Sequence, residues 1–319
     1  MNPELLRHIA VLKAMDEPAL ARLAGVLEVR DHADGESVFR EGDPADGMYF
    51  IASGAVRVEK RTQAAGGSGA KTLAILEPGD YFGEMALLDR QPRSASAVAS
   101  GPTRTLRLST EAFGLLHGGA GHAGLSVLFA MIRTCGDRIR RLSAQVVVYD
   151  EVGKAIGEAQ NLDQLLAVVL RQLGGALEAD WGLVLLRGQF SDRLEPRATL
   201  NLALTATQQQ DVAAGRGFLA RLRSESGGHL VREFGTDARF ADCPKLGFET
   251  PALLLAPVCL GDQSLGLILL GGHEPGQFDL NHLQLVLGVA RQTAQAIVNA
   301  RHREEEQARA RHGRQFVRF

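Results

Sequence analysis

The chain has 319 residues, 45% of them apolar, and a formal net charge of −2 at pH 7. This length exceeds that of most single domains, so we expect two domains with ordinary packed cores. A charge so near zero excludes a global field that would attract nucleic acid or an anionic membrane.

The cysteines and the N-terminus indicate the compartment. Cys135, Cys243 and Cys259 are odd in number and show no CxxC spacing, which excludes a disulfide framework and a zinc site. The N-terminal sequence has no uninterrupted apolar segment, so we expect neither a signal peptide nor a membrane span. A cytoplasmic location fits best.

The first part of the chain predicts helices followed by many strands. Residues 1 to about 27 have a helical apolar face that includes Leu5, Ile9 and Leu12. From 28 to about 110 come short alternating or β-branched runs, separated by glycine-bearing turns such as EGDPADG and EPGD. Short strands with turns between them are typical of a small β-barrel or jelly roll.

A helical period returns after Ser109 and becomes the most regular signal in the chain. Apolar residues recur at alternating spacings of three and four, as in a coiled-coil seam. One interpretation is a dimeric coiled coil, and the other is one helix that lays its apolar stripe on its own barrel. Both can hold, because the two ends of the helix can pack differently. The seam consists of Leu125, Leu128, Ile132, Cys135, Ile139, Leu142, Val146 and Tyr149.

From about residue 151 the pattern indicates an α+β domain. An amphipathic helix closed by a glycine pair precedes strand-like runs, and a last helix is expected from about 279 to 308. The runs PALLLAPVCL and SLGLILLGG, joined by GDQ, predict a β-hairpin in a sheet covered on one face. Strands flanked by terminal helices are typical of a sensor-like domain.

The stretch YFGEMALLDRQPRSASAV, residues 81–98, indicates a phosphate site. Gly83 opens a turn before a helix start, whose backbone amides favour an anion. Arg93 adds a permanent charge and a planar fork of donors suited to phosphate oxygens. Glu84 would repel a phosphate unless it receives a donor, and a sugar hydroxyl is such a donor. A ribose that carries a phosphate meets both demands, whereas a surface salt bridge between Glu84 and Arg93 would need no ligand.

The segments EGDPADGMYFIASGAVRV and LEPGDYFGEMALLDRQPRSASAVA resemble the cyclic nucleotide-binding domain of the catabolite activator family, of cyclic-nucleotide-dependent kinases and of gated channels. The resemblance covers roughly residues 5–150. It implies that Glu84 accepts from the ribose 2′-hydroxyl, that Arg93 pairs with the cyclic phosphate and that backbone amides complete the cradle. The ligand-binding residues expected from it are Gly83, Glu84, Met85, Ala86, Arg93, Ser94, Ala95 and, on the following helix, Ser143.

The same resemblance carries expectations about ligand and helix. Serine rather than threonine at position 94 favours cAMP over cGMP. The helix after the barrel would act as a lid over the base and as the contact of a homodimer. A solvated serine on that helix is the alternative interpretation of Ser143. The alternative for the whole site is a scaffold with an empty pocket, or a different ligand such as a cyclic dinucleotide.

A second resemblance covers roughly residues 151–305. EFGTDARF, the hairpin runs and FDLNHLQLVLGVARQTAQAIVNARHRE are similar to a GAF domain. The Asn-Lys, Phe and Asp-Glu set of cyclic-nucleotide-binding GAF domains is not intact here, so we expect a dimerisation or relay module. Because this segment stands where the activator family has its helix-turn-helix, DNA binding is not expected.

The expected fold class is therefore α+β with two domains. A jelly-roll-like β-roll domain would occupy residues 1–150, with its lid and dimer helix at about 122–150, and would bind a cyclic mononucleotide. An α/β GAF-like sensor domain would follow over 151–305, with a charged tail over 306–319.

No nucleophile elbow, Walker loop or HExxH is visible, and His117 and His122 lie in a glycine-rich loop without a carboxylate. We expect no enzyme activity, no cofactor, no metal and no membrane contact. The output would pass to an unidentified downstream protein, or the chain would serve as a non-binding dimerisation scaffold or a transcription-related interaction protein.

Overall fold

The structure, a computed structural model, describes residues 3–13, 15–64, 67–85, 91–117, 123–159, 161–188, 191, 193–219 and 227–315. The chain divides into two units, residues 1–140 and 141–319. The sequence predicts a domain boundary after residue 150. That position lies further along the chain than the division after residue 140, although both fall within the helix Ala123–Glu158. The boundary after residue 150 stays a prediction.

The first unit begins with helical segments and continues as a roll of strands. Two 3-10 turns, Pro3–His8 and Ala10–Leu12, precede the first α-helix. That helix starts where Asp16 Oδ1 accepts a hydrogen bond from the Ala19 amide at 2.8 Å, an N-cap with proline in the first turn. The elements are α1 (Glu17–Val26), β1 (Glu28–His32), β2 (Ser37–Phe39), β3 (Gly47–Ala64), β4 (Gly67–Leu76), β5 (Tyr81–Phe82), β6 (Ser96–Ser109), α2 (Thr110–His117) and α3 (Ala123–Glu158).

The strands of the first unit form one antiparallel sheet. Its order is β1-β6-β3-β4, with β2 paired to β6 and β5 paired to β3. Successive residues of β3 supply two different cores because side chains alternate across a strand. Met48 and Phe50 pack with the N-terminal helices, whereas Tyr49 and Ile51 pack with Phe82 inside the roll. The expected β-roll is therefore present in this unit.

Helix α3 is attached to the roll by its first half. The Tyr81 hydroxyl donates to the Met131 carbonyl at 3.1 Å, and Met131 is buried. Burial raises the pKa of Tyr81 to about 12, so its hydroxyl remains a hydrogen-bond donor at neutral pH. The residues of α3 near Met131 consequently lie over β5 and the residues that follow it.

The second unit contains a five-stranded antiparallel sheet. One helix precedes the first of its strands in the sequence, and another follows the last. The strand order of the sheet is β8-β7-β11-β10-β9. The β10–β11 pair forms the expected hairpin, with Leu260 opposite Gln263. The elements are α4 (Leu162–Ala176), β7 (Trp181–Arg187), β8 (Leu194–Leu200), α5 (Ala206–Ala213), β9 (His229–Val231), β10 (Ala252–Leu260), β11 (Gln263–Gly272) and α6 (Leu280–Gln315).

This sheet is buried on both faces, so the expectation of a sheet covered on one face was wrong. Leu254 and Ile268 pack with α4 and α6, while Leu253 and Leu267 pack with an aromatic cluster on the opposite face. The continuous apolar run of β11 is the pattern of a strand covered on both sides, since a half-exposed strand would alternate. None of the helices in the described ranges is long and apolar enough to cross a membrane.

Candidate functional site

A cavity of about 220 Å³ lies in the first unit beside the turn after β5. Its wall combines an apolar side from the roll with a group of charged and polar residues. The lining residues are Phe39, Val58, Ala74, Leu76, Phe82, Gly83, Glu84, Met85, Gln91, Pro92, Arg93, Ser94, Ala95 and Arg138. Six of the eight residues predicted to bind a ligand therefore face one cavity.

Gly83 is required by the geometry of the turn. Its φ of 76° lies in the left-handed region that side chains disfavour. A Cβ atom at this position would also stand only 2.7 Å from Arg93 Nη1. The Gly83 carbonyl accepts from that same nitrogen at 2.9 Å. Glycine here thus lets the arginine approach the backbone closely.

Arg93 is a buried cation, with only 5% of its surface exposed. Its Nη2 donates to Asp46 Oδ1 at 2.7 Å and to the Gly47 carbonyl at 2.8 Å. The guanidinium carbon stands 4.1 Å from the centre of the Phe39 ring, a cation–π contact. Within the described part of the chain, the buried Nε–H of Arg93 has no acceptor. A buried donor left without an acceptor is costly, and an anion in the cavity would supply one.

Glu84 is also buried, at 7% exposure, and is paired with a helix residue. Arg138 on α3 donates from Nη1 to Glu84 Oε1 at 3.1 Å, and its other terminal nitrogen donates to the Tyr81 carbonyl. The Cys135 thiol is 3.9 Å from the same carboxylate oxygen. Burial, with the Glu84 charge, raises the pKa of Cys135, so the thiol stays protonated and acts as a donor.

The two charged residues of the motif therefore have different ion-pair partners, Arg138 for Glu84 and Asp46 for Arg93. The alternative of a surface salt bridge between Glu84 and Arg93 is wrong, because each is buried and paired elsewhere.

The remaining predicted residues differ in position. Met85 is half-exposed at the cavity and Ala95 is buried. Ser94 is exposed, and its carbonyl accepts from Lys60 Nζ at 2.6 Å. Ala86 lies outside the described residues. Ser143 is exposed on α3 and belongs to the residues that group with the second unit, so its role stays a prediction.

Four side chains at the cavity or in contact with Glu84 or Arg93 were not assigned to the site by the sequence analysis, namely Phe39, Asp46, Cys135 and Arg138. Arg138 is only 30% exposed and contacts Glu84. Cys135 and Arg138 are three residues apart, one helical turn, which is the signal that could have placed both on the face toward the cavity. Phe39 ends β2 and Asp46 directly precedes β3, and no local spacing connects either of them with Arg93. Among the described residues, no group of three or more His, Cys, Asp or Glu side chains could hold a metal ion.

Two stretches of the chain match known domain families. Residues 29–116 match the cyclic nucleotide-binding domain, and residues 161–299 match the GAF domain. The cavity residues Gly83, Glu84 and Arg93 all fall within the first match.

Three known proteins illustrate the similarity. The chain is 36% identical over 115 residues to the cAMP-dependent protein kinase regulatory subunit of Dictyostelium discoideum, covering 36% of this chain and 35% of that one. It is 30% identical over 177 residues to the CRP-like cAMP-activated global transcriptional regulator of Mycobacterium tuberculosis, covering 54% of this chain and 75% of the regulator. A solved cyclic nucleotide-binding domain from Methylobacillus flagellatus is 28% identical with a TM-score of 0.40, covering 43% of this chain and 80% of that one. The chain thus spans about a third of the length of the kinase regulatory subunit.

Proposed function

Since this chain belongs to the family of cyclic nucleotide-binding domain proteins that includes the CRP-like regulators, and carries a GAF domain after that domain, we propose that it is a cyclic nucleotide sensor. The cavity beside β5 would bind one cyclic mononucleotide. The observation that carries the proposal is the buried guanidinium of Arg93, whose Nε–H lacks an acceptor in the described part of the chain.

The cyclic phosphate would lie against Arg93. Phosphate oxygens accept strongly from guanidinium donors, and the bond strengthens where water is excluded. Gly83 and Asp46 hold the other side of the guanidinium, so the charge is oriented before the ligand arrives. The exposed Ser94 hydroxyl and the backbone near Ala95 would complete the contact with the phosphate.

The ribose would lie against Glu84. The described contacts of this carboxylate, from Arg138 and Cys135, both use Oε1. Oε2 is therefore the oxygen that would accept from the 2′-hydroxyl. Because Arg138 belongs to α3, ligand entry at Glu84 would change the environment of a helix residue directly, and the ligand would favour one position of that helix.

The base is proposed to be adenine. Serine at position 94 favours cAMP over cGMP in the resemblance, and the kinase regulatory subunit and the CRP-like regulator are both named for cAMP. Ser143 would contact the base as the predicted residue on α3.

A homodimer through α3 would carry the signal onward to the GAF domain. Ile132, Ile139 and Val146 follow each other at intervals of seven residues and are each more than 60% exposed. Large apolar side chains at heptad positions are the seam of a coiled coil. We propose a cytoplasmic location and a downstream protein that receives the signal. The proposed function involves no catalysis, no DNA contact and no membrane contact.

A non-binding scaffold is the second candidate, and one observation favours it. Glu84 and Arg93 both have protein partners without any ligand, as residues with a purely structural role would. This candidate predicts that the protein dimerises but binds no cyclic nucleotide.

Isothermal titration of the full chain with cAMP and, separately, cGMP distinguishes the two candidates. We expect micromolar or tighter binding, with cAMP preferred. Chromatography of the nucleotide after incubation should return it unchanged, and turnover would contradict a pure sensor. Absence of heat with both nucleotides, confirmed by an unchanged melting temperature, would favour the scaffold.

A further inference from the structure

The Asp46 carboxylate is shared between two arginines. Its Oδ1 accepts from Arg93 Nη2 at 2.7 Å, and its Oδ2 accepts from Arg107 Nη2 at 2.9 Å. The same nitrogen of Arg107 also donates to the Asp46 carbonyl at 3.2 Å. Both the backbone and the side chain of Asp46 are therefore held by Arg107.

Arg107 is itself firmly positioned on β6. Its side chain is only 17% exposed. Its Nη1 donates to both carboxylate oxygens of Glu28 at 3.1 Å, and Glu28 is its cross-strand neighbour on β1. Although burial opposes its charge, the Asp46 and Glu28 carboxylates raise the pKa of Arg107, so it is cationic at any physiological pH.

The resulting chain of ion pairs alternates in sign. It runs Arg93, Asp46, Arg107, Glu28 and Arg30, where Arg30 donates to Glu28 at 2.7 Å. Three guanidiniums and two carboxylates leave one net positive charge. Without Arg107, the Asp46 carboxylate would face Arg93 alone, and the pair would present almost no net charge to an anion. Asp46 would also be free to rotate toward other donors of Arg93.

We propose that Arg107 is a positioning residue of the phosphate site: it holds the Asp46 carboxylate by Oδ2, so that Oδ1 orients Arg93 while the charge of Arg93 remains available to the cyclic phosphate. This inference rests on the proposed function of the same cavity. Arg107 does not line the cavity and acts through Asp46.

The test is a double-mutant cycle, read by titration of the full chain with cAMP. We expect Arg107→Gln to weaken binding about tenfold, or about 1.4 kcal/mol. In an Asp46→Asn background the same change should weaken binding by about twofold or less, since only the screened charge of Arg107 is then lost. Arg107→Lys keeps the charge but cannot hold Asp46 and Glu28 together as the guanidinium does, so its affinity should fall between those of the wild type and Arg107→Gln.

Arg104→Gln is the matched control on the same strand. Arg104 forms an exposed pair with Asp31 through a 2.6 Å contact and has no contact with Asp46 in the described structure. It should leave the affinity unchanged. The melting temperature of every variant shows whether a loss of binding results from a loss of fold. If Arg107→Gln does not fold, Arg107→Lys replaces it in the double-mutant cycle.

Each outcome supports or overturns the inference. Coupling between Arg107 and Asp46 supports it. Equal losses in both backgrounds, an Arg107→Gln protein that behaves like Arg104→Gln, or an Arg107→Lys protein as weak as Arg107→Gln would overturn it while leaving the proposed function intact. A wild type that binds neither cAMP nor cGMP would overturn both.

Discussion

Arg93 is a buried charge whose position is fixed by contacts within the protein. Its guanidinium is fixed on one edge by Asp46 and by the Gly83 and Gly47 carbonyls. One face lies on the Phe39 ring. These contacts satisfy most of its donors but not the Nε–H in the described structure. Orientation in advance lowers the entropy cost of binding, because the side chain is already ordered.

The Phe39 ring should contribute measurably to this orientation. Replacing it in Phe39→Leu removes the cation–π contact while keeping an apolar wall. We expect the affinity for cAMP to fall by about 1–2 kcal/mol, or about five- to thirtyfold, as for desolvated contacts of this kind. The comparison is Phe113→Leu, titrated with cAMP in the same way. This variant removes a ring that lies on α2 and does not line the cavity. Equal affinities of the two variants would show that the ring is not needed to hold Arg93.

The motif residues that lie close together in the sequence also line one cavity in the structure. Gly83, Glu84 and Arg93 lie within ten positions, and their types alone indicated a sugar phosphate. Asp46 and Arg107 could not be placed, because their contact with the site depends on the pairing of β3 with β6. Arg138 was missed because its row of arginines is equally compatible with a solvated helix face.

At the scale of elements, α3 has two different environments along its length. Met131 near its start is buried, and Val148 and Val152 near its end belong to the core of the second unit. Between them Ile132, Ile139, Leu142 and Val146 are exposed. This combination agrees with the expectation that the helix packs on its own domain in one part and presents an apolar seam in another.

The exposed seam should determine the oligomeric state. Ile139→Asp places a charge at the centre of the heptad row, where burial against a second helix would be costly. We expect light scattering coupled to gel filtration to show a dimer for the wild type and a monomer for Ile139→Asp. Ala144→Asp puts the same carboxylate at an exposed position off the seam of the same helix and should remain dimeric. A wild-type monomer, or an unaffected Ile139→Asp dimer, would exclude the seam as the contact.

The elements of the second unit were predicted in type but not in layering. The hairpin β10–β11 is at the expected place. The second covered face was missed because residues that cover it, such as Phe218 and Phe240, lie in irregular segments outside the helices and strands. The last helix, expected to end near 308, continues to Gln315, since no proline interrupts the charged tail and its one glycine, Gly313, lies in the final turn.

At the scale of the whole molecule, the chain consists of two units with separate hydrophobic cores. The matches to a cyclic nucleotide-binding domain followed by a GAF domain confirm both resemblances in their expected order. Length and periodicity predicted the two domains, whereas their families could be recognised only through the turn and cassette motifs.

The stability of the chain should depend on pH through His282 at the start of α6. Burial lowers the pKa of His282 below its usual value of 6.5. The Asp279 carboxylate opposes this shift, whereas the positive charge of Arg141 adds to it. The native state therefore holds this histidine neutral, while the unfolded chain takes up a proton as the pH falls below about 6.5. Its contribution to stability is present above that pH and is lost as the pH falls toward the native pKa.

His282→Gln isolates this effect. Asp279 Oδ1 accepts from the His282 amide at 2.8 Å, and the Asp279 amide donates to His282 Nδ1 at 3.2 Å. Glutamine can replace the histidine in this reciprocal cap without titrating. We expect the melting temperature of His282→Gln to decline less than that of the wild type between pH 7 and pH 5. The exposed His302→Gln is the control and should follow the wild type; parallel slopes for all three proteins would contradict the assignment.

The measurement that tests the central claim most directly is the affinity of Arg93→Ala for cAMP beside that of the wild type. If Arg93 receives the cyclic phosphate in a dry cavity, its loss should weaken binding by about 2–5 kcal/mol, while the variant remains folded by its melting curve. Folded Arg93→Ala protein with the affinity of the wild type would show that the phosphate does not lie at Arg93.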